Sequence, residues 1–390
     1  MDIENKIELV NREPMQETVT IGDLKEVFEN YSHPKHYIGF EISGKVHLGS
    51  GLLTALKIQD FLKAGIKPTI FLADYHSWLN KKMGNDLELI RDIAGNYFKH
   101  AFISLGLTED KVDYILGSDI YNKNYWERVI DISKNTSIKR MLRCTTIMGR
   151  KEGEGNDCSF IMYPAMQAAD IFQLDVQLAH AGMDQRNVHM LAREVAPKIN
   201  KKKPVALHHK ILYGLQGPGS RMEQYVTETD KATYLKIPKE ERIKIALKNI
   251  DEKGVTIALK KAYEMKMSKS KPDTCIFVHD SEEEIKRKIK KAYAPEKITE
   301  NNPIFQYAEL AVMREGKFTI ERPEKFGGNL EIGSAQELKK LYESAELFPL
   351  DLKNAVAQWL IKTLEPSRKY FEKKENQKYI AQIQKILETR

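Results

Sequence analysis

With 390 residues and a formal net charge of +7, the chain is long enough to bury a sizeable core and to divide into more than one domain. The positive balance suits a polyanionic partner, and three cysteines without a CxxC pair argue against a disulfide framework and suggest no structural zinc site. No stretch reads as a membrane span, and MDIENKIELV has no basic run followed by an apolar one, so the expected compartment is cytoplasmic.

Residues 1–35 form a charged helical lead-in, in which Ile21, Leu24, Val27, Phe28 and Tyr31 keep a helical spacing behind Thr20, a good N-cap. The stretch YIGFEISGKVHLGSG at 37–51 is the centre of the pattern. Tyr37, Ile38 and Phe40 suit a buried strand, Gly44 a tight turn, and His47, Leu48 and Gly49 the first turn of a helix running through Leu56 and Phe61. Such a helix entry binds anions: its N–H groups and positive dipole end face outward, glycine admits a phosphate, and an imidazole donates to the oxygens. PTIFLA at 68–73 predicts another buried strand, ending in Asp74, Tyr75 and His76 at the carboxyl edge of a sheet, where ligand-facing residues belong. Asn85 or Asp86 opens a helix with Leu87, Ile90, Ala94, Tyr97, Phe98 and Ala101 on one face and a stop near Gly106. KVDYILG at 111–117 is a further strand, and the alternation predicts an α/β fold with a Rossmann-like, doubly wound parallel sheet.

Between 119 and 160 the pattern turns helical, with Tyr125, Trp126, Val129 and Ile132 followed by Ile138, Met141 and Leu142, apolar faces that suit core packing or contact with another chain. GEGND at 153–157 is a loop. Behind it, Tyr163, Gln167 and Asp170 fall at i, i+4 and i+7 of an otherwise apolar helix, so they share one face and need polar partners. The string GMDQR stands next at 182–186. Residues 217–264 mix charges of both signs behind a Gly-Pro-Gly turn and read as a solvated helical hairpin. KMSKS at 266–270 then concentrates lysines and hydroxyls suited to a triphosphate. Beyond 280 the chain is predominantly helical: Ser281 with Glu284 and Ser334 with Glu337 are capping patterns, and Lys286, Arg287, Lys288, Lys290 and Lys291 make a basic face. Asp351 precedes a helix carrying Val356, Trp359 and Leu360 that is expected to stop before Pro366.

HLGS at 47–50 and KMSKS together resemble the paired signatures of class I aminoacyl-tRNA synthetases, with Ser50 where the first signature usually has a second histidine. Tyr37, Tyr163, Gln167, Asp170 and Gln185 narrow the resemblance to the tyrosyl-tRNA synthetases of the archaeal and eukaryotic branch, over roughly residues 35–370. The resemblance implies a catalytic domain at 36–280, with a connecting insertion at 119–160 that forms a homodimer contact and a charged insertion at 217–264, and a helical anticodon-binding domain at 281–390. Carried over residue by residue, it gives the phenolic hydroxyl of L-tyrosine to Tyr37 and Asp170 and the amino group to Glu41, Tyr163, Gln167 and Gln185. It gives ATP to Gly39, His47, Gly49, Ser50, Gly182, Asp184, Lys266, Ser268 and Lys269, with His47, Lys266 and Lys269 catalytic. Arg186, Phe326 and Asp351 go to tRNA(Tyr), while His76 and Phe71 either line the pocket or belong to the core.

The implied reaction makes tyrosyl-adenylate from L-tyrosine and ATP and then esterifies the 3′ end of tRNA(Tyr), with Mg2+ on the triphosphate and no metal cage in the protein. A tryptophanyl-tRNA synthetase shares the fold and signatures, but Tyr37 paired with Asp170 argues for a substrate that carries a hydroxyl. An RNA-binding relative without charging activity is disfavoured by His47, Lys266 and Lys269.

Overall fold

The computed structural model describes residues 1–148, 157–217, 267 and 271–388. The charged insertion from 218 onward and the signature residues Lys266, Ser268 and Lys269 lie outside the described residues. The chain divides into two compact units, the first comprising Met1–Val46, Ser50–Lys210 and Pro366–Arg390, the second His47–Gly49 and Ile211–Glu365.

The first unit is built on a six-stranded sheet of β1 (Met15–Val19), β2 (Lys35–Glu41), β3 (Lys67–Ala73), β4 (Asp113–Leu116), β5 (Leu178–Gly182) and β6 (Val205–His209), in the order β1-β6-β5-β2-β3-β4. Every neighbouring pair runs parallel except β1 with β6, so the sheet is mixed rather than wholly parallel. The antiparallel edge strand comes from the lead-in, which therefore contains a strand besides α1 (Ile3–Asn11) and α2 (Ile21–Asn30). MQETV is short and largely polar; an edge strand half open to solvent needs no apolar run, and none marks it in the sequence. Strands β5 (LAHAG) and β6 (VALHH) are likewise interrupted by histidines, which disguise them. Those histidines are buried because they bond to one another: His36 Nε2 lies 3.1 Å from His180 Nδ1, and His180 Nε2 lies 2.8 Å from His209 Nδ1. Burial holds His36 down to about 3, so it stays neutral.

Strand β2 lies between β3 and β5, and its register pairs Glu41 with Ala73. Glu41 and the start of the helix that follows Ala73 therefore share one edge of the sheet. Helix α3 (Leu52–Lys63) begins only at Leu52, with Gly51 as its cap, so His47, Leu48 and Gly49 precede the helix instead of forming its first turn. Their backbone is otherwise engaged: His47 bridges Phe277, and the Leu48 N–H donates to Ile276 O at 3.0 Å. Two glycines in the stretch also weigh against early helix. Helix α4 (Asp74–Leu79) follows β3 directly, and Asp86 caps α5 (Leu87–Ile93), which passes through a π-helical turn at Ala94–Phe98 into α6 (Lys99–Ser104). The 119–160 region supplies the helices after the short α7 (Gly117–Ile120), namely α8 (Lys123–Lys134) and α9 (Ile138–Cys144), and α10 (Ser159–Gln173) and α11 (Arg186–Val195) follow.

The second unit contains α12 (Glu282–Lys291), capped by Ser281, and α13 (Pro303–Glu315), whose first N–H groups donate to Asn302 Oδ1. An antiparallel pair, β7 (Phe318–Ile320) and β8 (Leu330–Ile332), precedes α14 (Ala335–Glu343), capped by Ser334. Helix α15 (Pro349–Glu372) does not stop before Pro366 but runs through it. The missing proline N–H is outweighed by packing beyond it, where buried Ser367 places its Oγ 2.7 Å from Ser104 Oγ. Helix α16 (Lys374–Glu388) comes last.

Candidate active site

Helix α10 buries every residue from Tyr163 to Phe172, and its polar members Tyr163, Gln167 and Asp170 bond to side chains from elsewhere in the first unit. The Tyr125 hydroxyl donates to Asp170 Oδ1 at 3.0 Å, and the Tyr163 hydroxyl donates to Glu41 Oε1 at 3.0 Å. Gln167 Nε2 donates to Gln185 Oε1 at 3.2 Å, and Gln185 Nε2 donates to Ile147 O at 3.0 Å. Asn80, at the end of α4, donates to Glu41 Oε1 at 2.6 Å and to Met148 O at 3.2 Å. Strand β2, helices α4 and α10 and the turn after β5 thus form one polar network.

His76 belongs to the same group. Its Nδ1 is 3.2 Å from the Tyr121 hydroxyl, its ring stands edge-on to Tyr163 at 4.6 Å, and its Nε2 is 3.6 Å from Asp170 Oδ2. Tyr121 stacks on Tyr125 at 4.1 Å, and the Tyr37 ring leans on Phe71 at 5.6 Å. His76 and Phe71 are therefore neighbours of the candidate tyrosine residues while being buried. The sequence alone does not single out Tyr121, Tyr125 and Asn80 as site residues, and Tyr125 reads there only as an apolar helix position; the i, i+4 spacing of His76 and Asn80 is the one local signal.

Three buried polar atoms here, Asp170 Oδ2, His76 Nε2 and Gln167 Oε1, have no hydrogen-bond partner among the described residues. An unmatched buried polar group costs roughly 1–3 kcal/mol, so this concentration marks where a polar ligand would be received. Burial pushes the Asp170 carboxyl well above the usual carboxylate range, against the hydrogen bonds from Tyr125 and Tyr121. Burial, aided by the nearby Asp170 charge, raises the Tyr37 hydroxyl, and burial holds His76 down to about 3. The histidine is a neutral hydrogen-bonding group at ordinary pH.

At the end of β5 a side chain on Gly182 would place its Cβ 2.6 Å from Asp184 Oδ1, so glycine makes room for that carboxylate to fold back. Gly39 serves β2 similarly: a Cβ there would come within 2.7 Å of the Tyr37 hydroxyl. Arg186 opens α11 and grips Glu17 of β1, with Nε 2.8 Å from Oε2 and Nη2 2.9 Å from Oε1. The His208 Nδ1 approaches the same carboxylate at 2.8 Å. Arg186 is thereby tied to the sheet edge, with its side chain 38 % exposed.

In the second unit His47 is buried and its Nδ1 accepts the Gly49 N–H at 3.1 Å, which fixes the imidazole proton on Nε2 as a donor. Ser50, the next residue of the signature, is counted with the first unit. Phe326 closes a short turn, Glu324–Phe326, between β7 and β8, followed by Gly327 and Gly328 at φ 93° and 70°. Arg322 Nε donates to Gly328 O at 3.0 Å and its Nη1 to Glu346 O at 2.9 Å, which ties this loop to the residues before α15. Asp351 is in the first turn of α15, beside exposed Phe348 and Leu350.

The family model for tRNA synthetases class I (W and Y) matches residues 29–224 and 247–365, and the chain belongs to that family. It is 47 % identical over 389 residues to the tyrosine–tRNA ligase of Thermococcus kodakarensis, covering 96 % of both chains. Among solved structures, the tyrosyl-tRNA synthetase of Pyrococcus horikoshii complexed with L-tyrosine matches with a TM-score of 0.84 and 43 % identity, covering 99 % of this chain and 100 % of that one. That of Archaeoglobus fulgidus, also complexed with L-tyrosine, matches with a TM-score of 0.77 and 36 % identity, covering 95 % and 99 %. Within the family the chain belongs to the tyrosyl-tRNA synthetases of archaeal and eukaryotic type, and its activity is ATP-dependent tyrosine–tRNA ligation.

Proposed function

We propose that the first unit holds L-tyrosine between Tyr37 and Asp170 at the hydroxyl and Glu41, Tyr163, Gln167 and Gln185 at the amino group. The observation that carries this reading is the cluster of Asp170 Oδ2, His76 Nε2 and Gln167 Oε1, buried polar atoms with no hydrogen-bond partner among the described residues, the first two 3.6 Å apart. A phenol can donate to the carboxylate, and an ammonium can donate to a glutamine oxygen. Two relatives are solved in complex with L-tyrosine, which supports tyrosine as the ligand.

ATP is assigned to Gly39, His47, Gly49, Ser50, Gly182 and Asp184, with Lys266, Ser268 and Lys269 at its phosphates. The tyrosine carboxylate oxygen attacks the α-phosphorus, the bond to the bridging oxygen breaks, and pyrophosphate leaves with the electron pair. In the second step a hydroxyl of the terminal adenosine of tRNA(Tyr) attacks the acyl carbon, AMP departs, and the hydroxyl proton passes to solvent. No side-chain nucleophile takes part; His47 Nε2–H, Lys266 and Lys269 stabilise oxygens whose charge grows. Magnesium would neutralise triphosphate charge when bound, and among the described residues no group of three or more His, Cys, Asp or Glu side chains is placed to hold a metal. No step is assigned to it.

We also infer tRNA(Tyr) contacts at Phe326 and Asp351, with an aromatic to stack on an unpaired base and a carboxylate to accept from a guanine edge. A homodimer through the 119–160 insertion is supported by Ile130 and Ile138, exposed by 59 % and 71 %. No helix among the described residues is long and apolar enough to cross a membrane. We place the enzyme in the cytoplasm, alongside its tRNA and ATP. The deciding experiment is ATP–pyrophosphate exchange with tyrosine, tryptophan and phenylalanine in parallel, followed by charging of tRNA(Tyr). Exchange with tyrosine far above the other two is expected, and comparable exchange with tryptophan would overturn the assignment.

A further inference from the structure

We propose that Tyr97 is a positioning residue for adenylation, acting through the backbone of Val46 on the phosphate-binding turn that begins at His47. The inference rests on the reading of His47 and Gly49 as ATP contacts. It assigns a role to a residue that the sequence presents only as one apolar position of a helix.

The residues between β2 and the signature are pinned by two side-chain hydroxyls. Near the strand, the Ile42 N–H donates to Ser77 Oγ at 2.7 Å, and Ser77 Oγ donates in turn to Ala73 O at 2.6 Å. Near the signature, the Val46 N–H donates to the Tyr97 hydroxyl at 2.9 Å. Between them Gly44 turns the chain at φ 127°. Ile42, Val46, Ser77 and Tyr97 are all buried, so water is a poor substitute for either hydroxyl. Val46 is joined by one peptide bond to His47, so the Tyr97 hydroxyl holds the peptide that leads directly into the signature.

The placement of Tyr97 is itself a built feature. It lies in the π-helical turn Ala94–Phe98, which adds a residue to the helical turn and rotates the following side chains relative to an uninterrupted α-helix. Its ring is fully buried, edge-on to Phe98 at 6.2 Å and stacked on Phe371 at 6.3 Å with an interplanar angle of 28°. Phe371 comes from the last turn of α15, in the portion of that helix counted with the first unit. Catalysis by positioning is sensitive to displacements of about 1 Å, and the Tyr97 hydroxyl is the hydrogen-bond partner that restrains the peptide before the turn.

The test is Tyr97→Phe, which keeps the ring and removes only the hydroxyl, compared with His47→Asn in single-turnover adenylate formation and equilibrium dialysis of tyrosine. Tyr97→Phe should slow adenylate formation or raise the KM for ATP by about tenfold, the scale of one lost buried hydrogen bond, while the Kd for tyrosine stays within about twofold. Phe371→Leu should act in the same direction more weakly, and should add little in the double variant if both work through the hydroxyl. If His47→Asn slows adenylation and Tyr97→Phe does not, the positioning role is wrong and the reading of the turn stands. If neither variant slows it, the reading of the turn fails and the proposal with it. Parallel loss of tyrosine binding in Tyr97→Phe would show a structural role only and overturn the proposal.

Discussion

Asp170 faces hydroxyls and a neutral imidazole, and under the proposed function these surroundings set the discrimination between tyrosine and phenylalanine. A buried carboxyl oxygen without a hydrogen-bond partner gains most from a ligand that donates to it, and phenylalanine offers no such donor. Tyr37→Phe and Asp170→Asn should therefore each lower the ratio of tyrosine to phenylalanine use by roughly 10- to 100-fold, equivalent to about 1–3 kcal/mol. Pyrophosphate exchange with both amino acids measures the ratio, and equal losses for both would assign these residues to the fold alone. At this scale Tyr163, Gln167 and Asp170 are legible in the sequence because helical spacing puts them on one face. Tyr121 and Asn80 are not, because their partners His76 and Glu41 are 45 and 39 residues away and only the folded sheet brings them near.

Among the elements, β2, β3 and β4 can be read from apolar runs, whereas β1, β5 and β6 cannot. Periodicity reports apolar burial and is blind to a strand whose buried side chains include histidines bonded to one another. Strand β1 does more than extend the sheet, since its Glu17 meets Arg186 at the turn that carries Asp184 and Gln185. The His208 hydrogen bond, with Arg186, holds the Glu17 carboxyl down to about 2 from an ordinary 4.5. A carboxylate with a depressed folded value stabilises fully above 4.5, and that contribution is lost as the pH falls through about 2. Glu17→Gln should accordingly be less stable than the parent at neutral pH, with the gap closing on acidification across that window. Urea midpoints measured along a pH series would show it, and a gap independent of pH would count against the ion pair. Helix α15 outruns the stop expected at Pro366 for a related reason: local propensity gives way to the packing of Ser367 and Phe371.

For the molecule as a whole, recognition of tyrosine and recognition of tRNA are assigned to different units, and a variant should be able to separate them. Asp351→Ala should weaken charging of tRNA with guanine at the first anticodon base by roughly 10-fold or more, as expected for one lost charged hydrogen bond, while leaving exchange with tyrosine intact. A matching fall in exchange would make Asp351 structural. The proposed dimer is tested by Ile138→Asp, which should shift sedimentation from dimer towards monomer at micromolar concentration; an unchanged dimer would move the contact elsewhere.

The route of the chain also bears on how the enzyme is made. The first unit needs Pro366–Arg390, which comes after the whole of Ile211–Glu365 in the chain. During translation, the ribosome must release the helices of the second unit before Ser367 and Phe371 can reach Ser104 and Tyr97. A nascent chain arrested before Pro366 therefore lacks part of its first unit, and no molecule completes that unit without the other having already been synthesised.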